Sequence, residues 1–258
     1  TTAMNVPISV GAAMILKAQF QVLDVLKAIK RYKPTIFPGV PNMYRAINSF
    51  RGVRKFGIQS INYCISGSEP LYVEVQEAFE KLTKGRLVEG YGLTEASPVT
   101  HANPLGDKRR VGTIGVPLPS TEAKVFDLSQ KNKEVKQGHI GELAVRGPQV
   151  MMGYWKDAKA TKEVLTHDGW LLTGDIAQVD EDGYTRIIAR KADMWYPDKS
   201  TEPETSGKPK PAFPRDVEEV IYEIPQVKEV AVVAIAGNPF AFVIAGRERP
   251  SPESVLAY

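Results

Sequence analysis

Ile61–Glu95 reads INYCISGSEPLYVEVQEAFEKLTKGRLVEGYGLTE. It opens on a short apolar run, INYCIS, and another, RLVEG, lies near its end; each has the length of a buried strand. Between them Tyr72, Val75, Phe79 and Leu82 recur at helical spacing on one face, and Gly85 is placed to cap the C-terminus. A parallel pair of strands needs a crossover, and a helix of this length supplies it. The predicted class is therefore α/β, a helix-covered and largely parallel sheet.

The pattern extends upstream. Val22, Val25, Leu26 and Ile29 mark a second helix, and PTIFPGVP (Pro34–Pro41) reads as a buried strand running into a loop. Downstream of about Asp107 the composition changes. VGTIGVPLPSTEAKVFDL, GHIGELAVRG and IAQVDEDGYTRIIA are strands joined by glycine- and acid-rich turns, the last with a hairpin at Asp180–Gly183. They predict a small β-barrel or sandwich. MWYPDKSTEPETSGKPKPAFP, from Met194, is crowded with proline and lysine and predicts no regular element. DVEEVIYEI, EVAVVAIAG and AFVIAG then read as the start of an α+β domain. The expected division is 1–106 for the sheet region, 107–192 for the barrel, and 193–258 for the insertion and the truncated third unit.

Composition narrows the partners. A net charge of +3 with no basic block argues against nucleic acid. The single cysteine, Cys64, excludes a disulfide framework and fits a reducing, cytoplasmic compartment. VGAAMIL is far too short to span a bilayer, although peripheral contact with a membrane stays open. His101, His139 and His167 show no metal-ligand spacing. The chain lacks an initial methionine and stops in what reads as the first turn of a helix, so a piece of a longer protein is expected.

Four clusters carry chemistry. Gly90-Tyr91-Gly92-Leu93-Thr94-Glu95 follows a predicted parallel strand, where open α/β sheets bind ligands. Its glycines allow close backbone approach, Tyr91 offers a stacking face, Thr94 a hydroxyl and Glu95 hard oxygens for Mg²⁺. Gly67-Ser68-Glu69 follows the preceding strand; alone it reads as a helix start, with Ser68 as cap and Pro70 in the first turn. Asp175, after Thr173-Gly174, suits a ribose diol, and Arg190, at a strand end, suits ribose or phosphate oxygens. Each has a plain alternative as a turn, a cap or a surface ion pair.

In order, SGSEPL, EGYGLTE, GWLLTGD and ARKAD resemble the motifs of the AMP-forming acyl-CoA synthetases of the adenylate-forming superfamily, most of all bacterial long-chain fatty acid CoA ligases. PTIFPGVPNMY, GELAVRGPQVMMGYW and PRDVEEVIYEIPQVKEVAVV support the likeness, which runs nearly the whole chain. The resemblance implies attack of a carboxylate on the α-phosphate of ATP, then capture of the acyl group by the thiol of coenzyme A. It implies that Gly67, Ser68, Glu69, Gly90 and Gly92 line the adenine pocket with Tyr91 on the ring. Thr94 would bond the α-phosphate, Glu95 hold Mg²⁺, and Asp175 with Arg190 take the ribose. Phe37, Val40 and Met43 would wall the acyl side, for a medium- to long-chain fatty acid.

Three departures qualify it. The family's serine/threonine/glycine phosphate loop and its late catalytic lysine are absent from these residues, so the chain alone is expected to be inactive in adenylation. Ala192 stands where a charged hinge residue is usual. The insertion 194–214 replaces a glycine-rich stretch, which leaves open a carrier-protein thiol instead of CoA. A non-catalytic nucleotide- or acyl-binding relative is the remaining alternative.

Overall fold

The computed structural model describes residues 2–130, 133–196, 211–224, 226–235 and 238–246. The larger part of the inserted segment, 197–210, and the end of the third unit, 247–258, lie outside the described residues. Three helices come first: α1 (Asn5–Ser9), α2 (Val22–Tyr32) and α3 (Pro41–Asn48). α2 buries Val25, Leu26 and Ile29, the stripe that its spacing predicts. Two strands follow, β1 (Tyr63–Ser66) and β2 (Arg86–Gly92), joined through α4 (Val73–Thr83). They run parallel, with Tyr63 opposite Arg86 and Ser66 opposite Glu89. α2, α3 and α4 pack a common core of Leu26, Ile29, Tyr44, Ile47, Phe79 and Leu87 against this sheet.

Pro34–Pro41 is less of a strand than its apolar run suggests. Phe37 and Gly39 donate to β1, at 3.0 Å each to Tyr63 and Ile65, but the Phe37 carbonyl between them accepts from the Tyr44 hydroxyl instead of from β1. Two isolated parallel bridges result, and Ile36 is exposed. The left-handed residue after α4 is Lys84, at φ +66°, rather than Gly85. Ser68 does not cap α4 either. It sits in a turn at φ +72°, and Tyr72 precedes the first helical residue.

The sheet is mixed rather than largely parallel. β3 (Val99–Ala102) runs antiparallel to β2, and β4 (Val116–Pro117) antiparallel to β3. β2 thus has two partners in succession: Arg86–Glu89 pair with β1, and Gly90–Gly92 pair with β3. The glycine–tyrosine motif, expected just beyond the strand, is the last part of the strand itself. Gly92 is required there by crowding, because a Cβ would lie 2.1 Å from the Pro98 carbonyl oxygen.

The expected barrel is an antiparallel sheet of β5 (Glu122–Phe126), β6 (Gly141–Arg146), β7 (Leu171–Val179) and β8 (Thr185–Arg190), in that order. Closure would need β5 to pair with β8, and both edges are already engaged. Val135 donates to Val125 beside β5, while Ile114 and Gly115 exchange bonds with Thr185 beside β8. The hairpin at Asp180–Gly183 forms, with Gly183 donating to the Asp180 carbonyl at 3.1 Å. Between β6 and β7 lies α5 (Ala158–Val164). α6 (Pro214–Tyr222) then packs on an antiparallel pair, β9 (Val227–Ile235) and β10 (Asn238–Ala245), around Trp195, Ile221, Ile224 and Val232. Among the described residues, no helix is long and apolar enough to cross a membrane.

Candidate functional site

A cavity of about 720 Å³ opens where the first two sheets, α6 and β9 meet. Ser68, Glu69, Gly90, Tyr91, Gly92, Asp175 and Arg190, all singled out from the sequence, line it. Gly67 does not line it but lies beside Gly90, whose carbonyl oxygen is 3.4 Å from where a Gly67 Cβ would stand. Thr94 lies apart. It begins a 3₁₀ turn (Thr94–Ala96) and is exposed, and neither this cavity nor the smaller one beside it includes it.

Asp175 is the hinge of the geometry. It sits within β7 at the first pair of the β7–β8 hairpin, directly opposite Arg190 on β8. Its Oδ1 accepts from Arg190 Nε at 3.1 Å, and its Oδ2 accepts a short hydrogen bond from the Tyr91 hydroxyl, 84 residues away in sequence. That bond ties the end of the first sheet to the middle of the second. Burial raises the Asp175 pKa above its usual range; the bond from Tyr91 and the charge of Arg190 pull it down, and Glu142 adds to the rise. The Tyr91 phenol is pushed far up, by burial first and by the Asp175 charge next. It therefore stays protonated and donates. A carboxylate offers about four lone-pair sites, so two remain for further donors such as a vicinal diol.

The smaller cavity, about 170 Å³, shares no lining residue with the first, although its Gly174 and Lys191 neighbour Asp175 and Arg190 in sequence. Glu95 lines it, and the Glu95 Oε1 accepts from the Tyr154 hydroxyl at 2.7 Å. Glu142, buried in the same wall, accepts from Lys191 Nζ at 2.5 Å and from the Gly174 N–H at 3.2 Å. Among the described residues, no group of three or more histidine, cysteine, aspartate and glutamate side chains is placed to hold a metal. Mg²⁺ does not call for such a group, since it keeps its waters and takes one or two carboxylates alongside substrate phosphates. Glu95, half-buried at the cavity wall, is a donor of that kind.

Sequence reasoning missed Glu89, Tyr154 and Arg215. Glu89 and Arg215 line the larger cavity. Glu89 was visible as the one acid in an otherwise apolar strand end; no local signal links Tyr154 to Glu95, or Arg215 on α6 to β2. Burial lifts the Glu89 carboxyl from 4.5 to about 7, against the Leu71 N–H and the charge of Arg215. Burial also lowers the His101 imidazole, beneath the edge of the Tyr91 ring, from 6.5 to about 4.

These two shifts oppose each other in stability. Between about pH 4.5 and 7 the folded state holds the Glu89 proton that the unfolded chain has lost, so stability from this group falls as pH rises. For His101 the unfolded chain binds the extra proton between about pH 4 and 6.5, so stability rises across that window. Glu89→Gln removes the falling limb alone. Its melting temperature should gain on the unsubstituted chain as pH goes from 5 to 8, by several degrees; a constant offset across that range would contradict the buried-acid assignment.

The family model described as AMP-binding enzyme matches residues 1–155. The long-chain-fatty-acid–CoA ligase of Bacillus subtilis (strain 168) is 42% identical over 235 residues, which are 91% of this chain and 40% of that ligase. The ligase of the same name from Escherichia coli O157:H7 is 37% identical over 225 residues, 87% of this chain and 38% of that one. The chain thus spans about two fifths of the length of these curated relatives. Among solved structures, ATP-bound MatB from Rhodopseudomonas palustris superposes with a TM-score of 0.87 at 28% identity, covering 99% of this chain and 49% of MatB. The anthranilate CoA ligase AuaEII in complex with anthranoyl-AMP gives a TM-score of 0.80 at 29% identity, covering 97% of this chain and 46% of that ligase.

Proposed function

The chain belongs to the AMP-binding enzyme family, and from that premise we propose that it forms the adenosine-holding part of an ATP-dependent, AMP-forming ligase joining a fatty acid to coenzyme A. The observation that carries the reading is the convergence of Ser68 and Glu69, Gly90–Gly92, Asp175 and Arg190 on one cavity from segments far apart in sequence. The two curated relatives described above, both named as long-chain fatty acid ligases, support the acyl substrate, and the single cysteine supports a cytoplasmic setting.

In this reading the base lies on Tyr91 between the glycines and Gly67–Glu69. The ribose hydroxyls donate to the lone pairs left on Asp175, with Arg190 beside them. Thr94, exposed past the end of β2, meets the α-phosphate, and Glu95 holds Mg²⁺ brought by the nucleotide. The metal would neutralise charge on the phosphate oxygens; displacement at phosphorus depends on such neutralisation and on positioning more than on an acid or base. The phosphate loop and catalytic lysine that the resemblance calls for are not among these 258 residues. Negligible pyrophosphate exchange is therefore expected from them alone. The division at 106 and 192 is retained as the proposed domain plan, with β4 joining the first sheet from beyond the first boundary.

Calorimetric titration of AMP into the chain tests the reading. Tyr91→Ala should weaken binding by about 10- to 100-fold, the range that loss of base–aromatic stacking covers. Undiminished AMP affinity in a folded Tyr91→Ala variant would remove the adenosine site.

A further inference from the structure

We propose that Tyr154 is a positioning residue that holds the Glu95 carboxylate ready for the divalent cation arriving with the nucleotide. The inference rests on the reading of Glu95 as that cation's ligand. The contact is built from both sides. Tyr154 donates its hydroxyl to Glu95 Oε1 at 2.7 Å across 59 residues of sequence, and the Met151 N–H donates to the Glu95 carbonyl at 2.8 Å. Residues 151–154 therefore grip Glu95 by its backbone and by its side chain.

The gripping loop is itself braced. The Tyr154 N–H donates to Thr161 Oγ1 at 2.9 Å, and that hydroxyl donates to the Asp157 carbonyl at 2.7 Å. Asp157 caps α5 by accepting from the Ala160 N–H at 2.9 Å. Gly153, at φ +149°, packs so closely that a Cβ would stand 2.8 Å from Thr161 Cγ2. The phenol thus reaches Glu95 from a loop pinned to the first turn of α5 rather than from a free one. A glutamate side chain loses much rotamer freedom when it is fixed on a ligand. Tyr154 fixes one oxygen beforehand and leaves the other for the cation, as partners behind metal ligands do elsewhere.

The probe pair is Mn²⁺ and AMP. Mn²⁺ affinity of the chain saturated with AMP is read from the loss of the free-ion electron paramagnetic resonance signal, and AMP affinity in EDTA is read by calorimetry. Tyr154→Phe should weaken Mn²⁺ binding about tenfold, leaving AMP affinity in EDTA and the melting temperature unchanged. Thr161→Val, which loosens the brace but keeps the phenol, should give a smaller loss in the same direction. Glu95→Gln should lose at least about tenfold, as removal of a direct ligand exceeds removal of its support. If Glu95→Gln weakens Mn²⁺ and Tyr154→Phe does not, the positioning role is overturned and the ligand reading stands. If neither variant changes Mn²⁺ binding, or the unsubstituted chain binds none, both fall. Equal losses of Mn²⁺ and metal-free AMP affinity in Tyr154→Phe would make the tyrosine merely structural and overturn the proposal.

Discussion

Asp175→Ala is expected to raise the dissociation constant for AMP about 10- to 100-fold, since hydrogen bonds to a charged group contribute about 1.5–3 kcal/mol. It should also destabilise the fold, and the cause differs. The Arg190 side chain is 63% exposed, so loss of that ion pair has little effect. The Tyr91 hydroxyl is another matter, because it would be left in a buried setting without Asp175 as its acceptor, at a cost of about 1–3 kcal/mol. Asp175→Asn separates the two effects. An amide oxygen still accepts from Tyr91, so melting should be close to that of the unsubstituted chain while AMP binding stays weak. Calorimetry and thermal melting on both variants make the comparison; tight AMP binding by either would defeat the ribose assignment.

Gly92→Ala is expected to be more damaging to the fold than Asp175→Ala. Its Cβ would run into the Pro98–Val99 backbone, 2.1 Å from the Pro98 oxygen, 2.6 Å from the Pro98 carbon and 2.8 Å from the Val99 Cα. A backbone cannot rotate aside as a side chain does, so β2 and β3 must part. Overpacking typically costs about 1–3 kcal/mol, and the upper end or beyond is expected here, about 6 °C or more in melting temperature for a chain of this size. Gly106→Ala is the control, with open space around the added methyl and no change expected. Equal melting of the two variants would show that Gly92 is not packed as described.

What could be read from the sequence was whatever depends on short-range period. The stripe of α2, the crossover through α4 and the hairpin at Asp180–Gly183 follow from spacing and turn residues that act within a few positions. What could not be read depends on partners distant in the chain. Pro34–Pro41 has the apolarity of a strand, but the Tyr44 hydroxyl takes the Phe37 carbonyl that a ladder would use, and the sheet of β5–β8 stays open because other segments reach its edges first. In the candidate site, residue types were legible and angles were not. Tyr91 and Asp175 stood out by type, while the bond between them, and the grip of Tyr154 on Glu95, arise only from tertiary placement.

The change of partner along β2 sets a limit on variation in this region. A strand's side chains alternate between faces, and Glu89 and Gly90 lie where one ladder hands over to another of opposite direction. Adding or deleting a single residue at that seam would turn the aromatic ring to the reverse side and break two registers together. Drift in length is thus barred at this point of the chain, whereas the turn about Gly106, with room around it, is free to lengthen.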